Sequence, residues 1–516
     1  MHDIVIVGAG SAGCVLAERL SADPALRVLL LEAGGPDTSP LIRMPKGFGK
    51  LLTDPAHVWQ HEVPVNGAAS ETWLRGKTLG GSSSVNGMVW LRGSAANYDA
   101  WGLPGWSGAA MREAFAAVEA VIRPSLHGEP TPLCDAMIAG GVALGLRAAS
   151  DMNDGDDERI GYAPRSIEHG QRRSAAQAFL APARGRINLE VITSAQVQRV
   201  CFEGARAVGV EAVVQGRLQR FGATREVLLC AGGLHSPLLL QRSGIGDAAL
   251  LQRFGIPVVA HAPRVGRGLS EHRCQVLQFR LAKPLRGDRG HNARLRGTGL
   301  LASLLRYALL RRGVLAGAAY DVAALLKTDP TLPRPDAQLL MAPFSVKGPG
   351  AAAGIEREPG LQCIGYLLQP RSAGRIAIAG PDAAAPPRIE PGYFSDPRDL
   401  MGAVRLARRM RELFAQPLLA DVIAGETLPG AQATTDEQLA AAALQHGYCG
   451  YHAVGTCAMG ADETGVTDPT LRVRGASGLR VVDASVMPTL PSGNTNGPVM
   501  ALAWRAAGIV SASLRV

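Results

Sequence analysis

Residues 4–13 read Ile-Val-Ile-Val-Gly-Ala-Gly-Ser-Ala-Gly, and they limit what this chain can fold into more than any other stretch. An apolar strand runs straight into Gly8-x-Gly10-x-x-Gly13. A helix follows over 14–20, and a second apolar strand over 28–31 ends in Glu32. Strand, tight turn, helix, strand and acid in that order form the dinucleotide fingerprint of an α/β sheet. Gly8 permits the turn, Gly10 lets the backbone approach a pyrophosphate, and Gly13 lets the helix pack on the strand. The helix N-terminus, at Ser11 and Ala12, offers free N–H groups and a partial positive charge to the phosphates. Glu32, with Ala33 after it, is placed to accept hydrogen bonds from an adenosine ribose. Its charge repels a 2′-phosphate, which argues against an NADP-type ligand. The fingerprint alone does not separate NAD from FAD.

At 516 residues the chain exceeds one core, so two or three lobes are expected. The net charge of +9 comes from scattered arginines, and aromatics make up only 5%. A nucleic-acid surface needs a basic stripe with interleaved aromatics, and none is present, so no nucleic-acid partner is expected. The eight cysteines are dispersed, without CxxC or Cys/His ligand spacing, so no metal site is expected. Several lie in apolar runs, as free thiols do in a reducing compartment. The first strand begins at once, leaving no room for a signal peptide, and no apolar stretch reaches the roughly 20 residues of a membrane span. A cytoplasmic protein is expected, at most associated with the inner face of a membrane.

Residues 36–75, rich in Pro, Gly and isolated aromatics, read as an extended excursion without regular structure. Residues 106–123 carry helical periodicity. The acidic run at 150–159 lacks the spacing of a calcium loop and reads as a solvated turn. Strand patterns cover 188–192, 195–200, 208–214 and 226–230. The last runs into Ala231-Gly232-Gly233 and a helix, a second turn that can place backbone beside a cofactor. Residues 262–268 look like a boundary. Beyond it, 271–445 reads as a less ordered segment with several Pro breaks, the candidate substrate lobe. The chain then returns to a buried strand at 479–483 and a helix over 498–510.

Two further segments carry chemistry. Residues 75–90 contain Gly80-Gly81-Ser82-Ser83-Ser84-Val85-Asn86-Gly87, a backbone rich in N–H and hydroxyl donors that can wrap phosphates or a polar ring edge. Near the C-terminus, His452 lies in Tyr451-His452-Ala-Val-Gly455-Thr456, with Asn494 and Asn496 following in Ser492-Gly-Asn494-Thr-Asn496-Gly-Pro498. Histidine is the side chain best poised for proton transfer near neutral pH.

Together these segments resemble the glucose–methanol–choline (GMC) family of FAD-dependent oxidoreductases. Gly76-Lys77-x-Leu79-Gly80-Gly81-Ser82-Ser83-x-Val85-Asn86 resembles the family's first signature, and Ala231-Gly-Gly-Leu-His-Ser236-Pro237 through Gly246 its second. Val265 to His272 resembles a recurrent segment usually written Asn-Leu-x-Asp-His, from which Gly268 and Glu271 depart. The resemblance implies FAD as the resident cofactor. It implies a Rossmann-like FAD-binding domain (1–155, 186–270 and 446–516) with an inserted substrate domain (156–185 and 271–445) built on an antiparallel sheet with helices. Gly8, Gly10 and Gly13 would hold the pyrophosphate and Glu32 the ribose. Gly80, Ser82, Asn86 and Gly87 would lie along the flavin, with Val197 facing the adenine. Ala231 and Gly232 would stand beside the cofactor, Asp483 and Ala484 at the ribityl–phosphate region, and Asn494 and Asn496 near the flavin. Where some members carry the His that links FAD covalently, this chain has Val85, which implies non-covalent FAD.

By the same resemblance His452 is the base and Asn496 its partner in oxidising an alcohol to the aldehyde, with hydride transfer to flavin N5. A neutral, fairly apolar primary alcohol, aliphatic or aromatic, is the first expectation, and a choline-type alcohol the second. The electron acceptor is oxygen or a quinone-like carrier, with a dehydrogenase slightly favoured over an oxidase. A hydroxynitrile lyase on the same scaffold, a flavin-binding protein without turnover and a plain NAD dehydrogenase are the rivals. Selectivity is expected from 290–370. Within it, 299–312 reads as a helix that packs between lobes or, alternatively, makes a peripheral contact with anionic lipid.

Overall fold

The computed structural model describes residues 1–65, 69–126, 129–348 and 354–515. Its first sheet grows from β1 (His2–Val7), whose Ile4, Val5 and Ile6 are fully buried. A central strand covered on both faces needs such a continuous apolar run. The remaining strands are β2 (Val28–Leu31), β3 (Leu189–Ile192), β4 (Ala195–Glu203), β5 (Arg206–Val214), β6 (Arg217–Leu229) and β7 (Leu479–Val481). The order is β4-β5-β6-β1-β2-β3, with β7 also on β6. Strands β7, β6, β1, β2 and β3 pair in parallel, and β4, β5 and the first half of β6 form an antiparallel meander. Two helices leave the carboxyl ends of adjacent strands: α1 (Ser11–Leu20) after β1 and α2 (Gly232–Arg242) after β6.

A second, mostly antiparallel sheet of eight strands begins at Ile423–Leu428. It continues through Arg273–Leu281, Gly360–Leu367, Ala337–Ala342, Val322–Leu326 and Arg159–Tyr162 to Arg147–Ala148. Tyr448–Cys449 pairs with its Arg273–Leu281 strand. It therefore takes in 147–148 and 448–449, outside the 156–185 and 271–445 segments expected to build it. The reading of 271–445 as less ordered is corrected. Val322–Leu326 and Ala337–Ala342 are buried at every position, so they lack the alternation that marks a half-exposed strand. Helix Pro397–Phe414 packs on this sheet through Leu406, Met410 and Phe414.

The expectation of an irregular 36–75 is also corrected. It contains short helices at Pro40–Arg43 and Phe48–Leu51 and an antiparallel hairpin, Val58–Val65 with Ala69–Gly76; residues 66–68 lie outside the described residues. The hairpin forms because Val63, Val65 and Trp73 pack on Leu234 and Leu238 of α2, a tertiary contact that local composition does not reveal. The periodic stretch near 106–123 is the helix Gly108–Ile122. Residues 297–310 form α3 (Gly297–Leu310), but it is not a lobe-packing helix, since most of its leucines face solvent. The chain ends in α4 (Asn496–Ser513), which packs against α1 through small residues such as Ala503 and Ala507.

The β1–α1 turn is tight. A Cβ on Gly13 would stand 1.9 Å from the Gly8 carbonyl oxygen. A helical Gly→Ala change ordinarily stabilises by up to about 1 kcal/mol. Here Gly13→Ala is expected to have the opposite sign and destabilise by about 1–3 kcal/mol as α1 is pushed off the strand. Urea unfolding would measure it, and an unchanged or raised midpoint would show that the turn relaxes freely.

Candidate active site

The carboxyl ends of β1 and β6 bring two glycine turns together. Gly8 has φ +101°, and a Cβ there would meet the Cys230 carbonyl oxygen at 2.6 Å. The glycine-rich loop closes over the first turn, where a Cβ on Gly81 would lie 2.7 Å from the Gly10 Cα. A Cβ on Gly10 would meet nothing within 4 Å, because that side of Gly10 faces a cavity of 1220 Å³. Three helices begin on this cavity: α1 at Ser11, α2 at Gly232 and α4 at Asn496. None is capped by the side chain of its own N-cap residue, although Asp483 takes the first N–H of α2 at Gly232, and the positive ends of all three face one space.

Of the residues named from the sequence, Gly8, Gly10, Ser11, Ala12, Glu32, Ala33, Ser82, Asn86, Gly87, Val197, Ala231, Gly232, Asp483, Ala484, Asn494, Asn496 and His452 line this cavity. Gly13 and Gly80 are not on its wall; they shape the turns behind it, Gly80 with φ +86°. Glu32 accepts from Ala9 N (2.9 Å) and Gly34 N (2.8 Å), and burial raises its pKa to about 7. Asp483 accepts from Gly232 N (2.8 Å) and Ser485 N (2.8 Å), tying the start of α2 to the end of β7. Arg172, fully buried, donates to the carbonyls of Ile42, Ser83 and Asn86 and to Asn86 Oδ1, and so fixes the glycine-rich loop from below.

His452 is held from three sides. Its backbone N–H donates to Glu271 Oε1 (2.6 Å). Its Nδ1 lies 2.8 Å from Nδ1 of His272. Its Nε2 lies 3.2 Å from Nδ2 of Asn494. These contacts decide where the protons sit. His272 Nε2 faces the Leu368 carbonyl oxygen at 2.9 Å and must carry a hydrogen, so His272 Nδ1 accepts. His452 Nδ1 must then donate, which leaves the lone pair on Nε2, the nitrogen beside Asn494. Burial, followed by His272 and Arg75, pushes the His452 pKa well below its ordinary value, so the ring stays neutral. Gly450 makes the arrangement possible, since a Cβ there would come 2.9 Å from His272 Cβ and 3.2 Å from His452 Nδ1.

The expected pairing of His452 with Asn496 is corrected. Asn496 is the first residue of α4, and its Oδ1 accepts from Ser11 Oγ (2.8 Å) at the start of α1. Asn494, still in the loop before that helix, turns to the histidine instead. The sequence alone assigns no role to Glu271, His272 or Arg172. For the first two the signal was the recurrent segment that ends at Glu271-His272. Glu271 is wholly buried and takes four donors: His272 N (2.9 Å) and His452 N on Oε1, and Arg75 Nη2 (3.2 Å) and Cys449 Sγ (3.2 Å) on Oε2. His446 caps the helix Asp436–Gln445. Among the described residues no cluster of three or more His, Cys, Asp or Glu is arranged to hold a metal ion.

Two family models described as GMC oxidoreductase match the chain, over residues 2–274 and 370–503. It is 36% identical to the alcohol dehydrogenase (acceptor) of Pseudomonas putida, covering 99% of this chain and 96% of that protein. It is 35% identical to the oxygen-dependent choline dehydrogenase of Photobacterium profundum, covering 99% and 93%. Among solved structures, pyridoxine 4-oxidase from Mesorbium loti superposes with a TM-score of 0.86 at 28% identity over 98% of this chain and 99% of that one. The chain belongs to the GMC oxidoreductase family.

Removing Glu271 strands Arg75 and frees the His452 backbone. Glu271→Ala is therefore expected to cost about 3–5 kcal/mol in urea unfolding. Glu271→Gln keeps one oxygen for the two histidine N–H groups and is expected to cost less. Equal losses in the two variants would show that the carboxylate does not act as this hub.

Proposed function

We propose that the protein binds FAD non-covalently and oxidises a neutral, fairly apolar primary alcohol to the aldehyde, with His452 as base. The observation that carries this reading is the lone pair of His452 Nε2, fixed beside an amide donor on the wall of a cavity built for an anionic dinucleotide. The fit to FAD rests on the bare Gly10 backbone, the three helix starts on one cavity and the buried Glu32. Val85 stands where a linking histidine would be needed and offers no nucleophile.

FAD, when bound, supplies the acceptor for the hydride that leaves the carbinol carbon. His452 Nε2 takes the hydroxyl proton, and His272 holds the ring in the required tautomer through Nδ1. Asn494 Nδ2 is placed to donate to the developing alkoxide. Asn496 serves the packing of α4 against α1 rather than the proton transfer.

The rest of the wall supports the substrate class. Met44, Phe48, Leu300, Leu315 and Phe344 line the same cavity. Its carboxylates among the described residues are Glu32, Glu62 and Asp483; Glu32 and Asp483 are engaged by backbone N–H groups and Glu62 by the Thr72 hydroxyl (2.7 Å). Lys46, also on the wall, sits with Nζ 4.7 Å from the Phe344 ring centre. A cation already at the Phe344 ring disfavours a quaternary ammonium at that face. A dehydrogenase with a quinone-like acceptor, favoured slightly over an oxidase, belongs to the same reading; the name of the Pseudomonas putida relative specifies an acceptor.

Anaerobic mixing of the yellow protein with a panel of alcohols, choline included, tests this directly. Primary aliphatic or aromatic alcohols should bleach the oxidised flavin, choline should not, and His452→Ala should slow bleaching at least ~10²-fold. A soluble quinone should reoxidise the protein faster than air. Cyanide release from a hydroxynitrile without bleaching would place the chain among lyases instead. Separately, acid precipitation is expected to release the flavin into the supernatant, and a yellow pellet would refute the non-covalent link.

A further inference from the structure

Residues 289–320 contain no Asp or Glu and six arginines: Arg289, Arg294, Arg296, Arg306, Arg311 and Arg312. Within this stretch α3 is apolar on most sides, and a row of its leucines faces outward. Leu301, Leu304, Leu305 and Leu309 follow one another at helical steps on one face and are 66%, 38%, 61% and 73% exposed. The opposite face holds the helix in place, with Tyr307 buried against Val314 and Leu315. Single exposed leucines are ordinary, whereas a contiguous outward stripe marks a surface that meets an apolar medium.

We propose that α3 docks the protein on an anionic lipid surface, its leucines entering the acyl boundary and its flanking arginines meeting the phosphate headgroups. Charge selects this occupant. A second copy packed face to face would bring six more arginines against the same patch, and among the described residues the one acid paired with these arginines is Glu129, 3.4 Å from Arg306. Among the described residues no helix is long and apolar enough to cross a membrane, so α3 lies on the surface rather than spanning it. Leu304 belongs both to the exposed stripe and to the wall of the His452 cavity. A lipid-dissolved molecule can therefore reach that cavity without crossing water, and this last step rests on the alcohol-oxidation reading.

The test uses the full-length flavin-loaded protein and sedimentation with vesicles, which reads binding independently of turnover. Equimolar phosphatidylglycerol and phosphatidylcholine vesicles should carry the protein down, while pure phosphatidylcholine or high salt should release most of it. The combined Leu301→Ser, Leu305→Ser and Leu309→Ser variant should lose at least about tenfold in partitioning, with flavin content and turnover of a short water-soluble alcohol unchanged. Should that variant misfold, Arg294→Glu with Arg312→Glu should give a similar loss on the anionic vesicles. Three results would overturn the proposal: wild-type protein left in the supernatant, folded variants that sediment like wild type, or a wild-type dimer that ignores vesicles and is split by the serine substitutions.

Discussion

The contact between two bare turns organises this molecule. Strands β1 and β6 lie side by side and in parallel, so the turns at their carboxyl ends must share one edge of the sheet. They fit only because Gly8 presents no Cβ to the Cys230 carbonyl. From that edge α1 and α2 diverge, the loop at 80–84 settles on Gly10, and α4 returns to pack on α1 with its own start on the same space. Three helix N-termini around one cavity turn their positive ends on a space that an anionic ligand is suited to fill. The fold thus sets the binding chemistry before any catalytic side chain is considered.

The second constraint is Glu271. A fully buried carboxylate is costly to place, and four donors offset that cost: one guanidinium, one thiol and two backbone N–H groups. Two of those N–H groups belong to His272 and His452, so the carboxylate that secures the buried loop also brings the two rings into register. The resulting chain, Leu368 carbonyl to His272 to His452, fixes a tautomer without any ionised partner on the imidazole itself. A neutral imidazole whose pKa lies well below the ordinary value is the consequence.

How far the sequence could be read depended on how local each cause was. The β1–α1 turn is encoded within ten residues, and its glycine spacing carries the geometry. The identity of the asparagine beside His452 is not local. Asn494 and Asn496 are two residues apart, and only the point at which α4 begins, facing Ser11, sends one to the histidine and the other to α1. The strands at 322–326 and 337–342 are not legible in the sequence because they are covered on both faces and show no period of two. For α3 the helix was legible and its orientation was not, since a helix apolar on most sides carries no polar face that says which side turns out.

The measurement closest to the central claim is the pH dependence of the anaerobic rate at which a saturating primary alcohol reduces the flavin. His452 acts as base only when neutral, and its environment holds its pKa well below the usual histidine value of 6.5. The rate should therefore hold constant as the pH falls to 6.5 and decline only below it, with that limb absent in His452→Ala. A limb centred at or above pH 6.5, or one that survives the substitution, would contradict His452 as the neutral base.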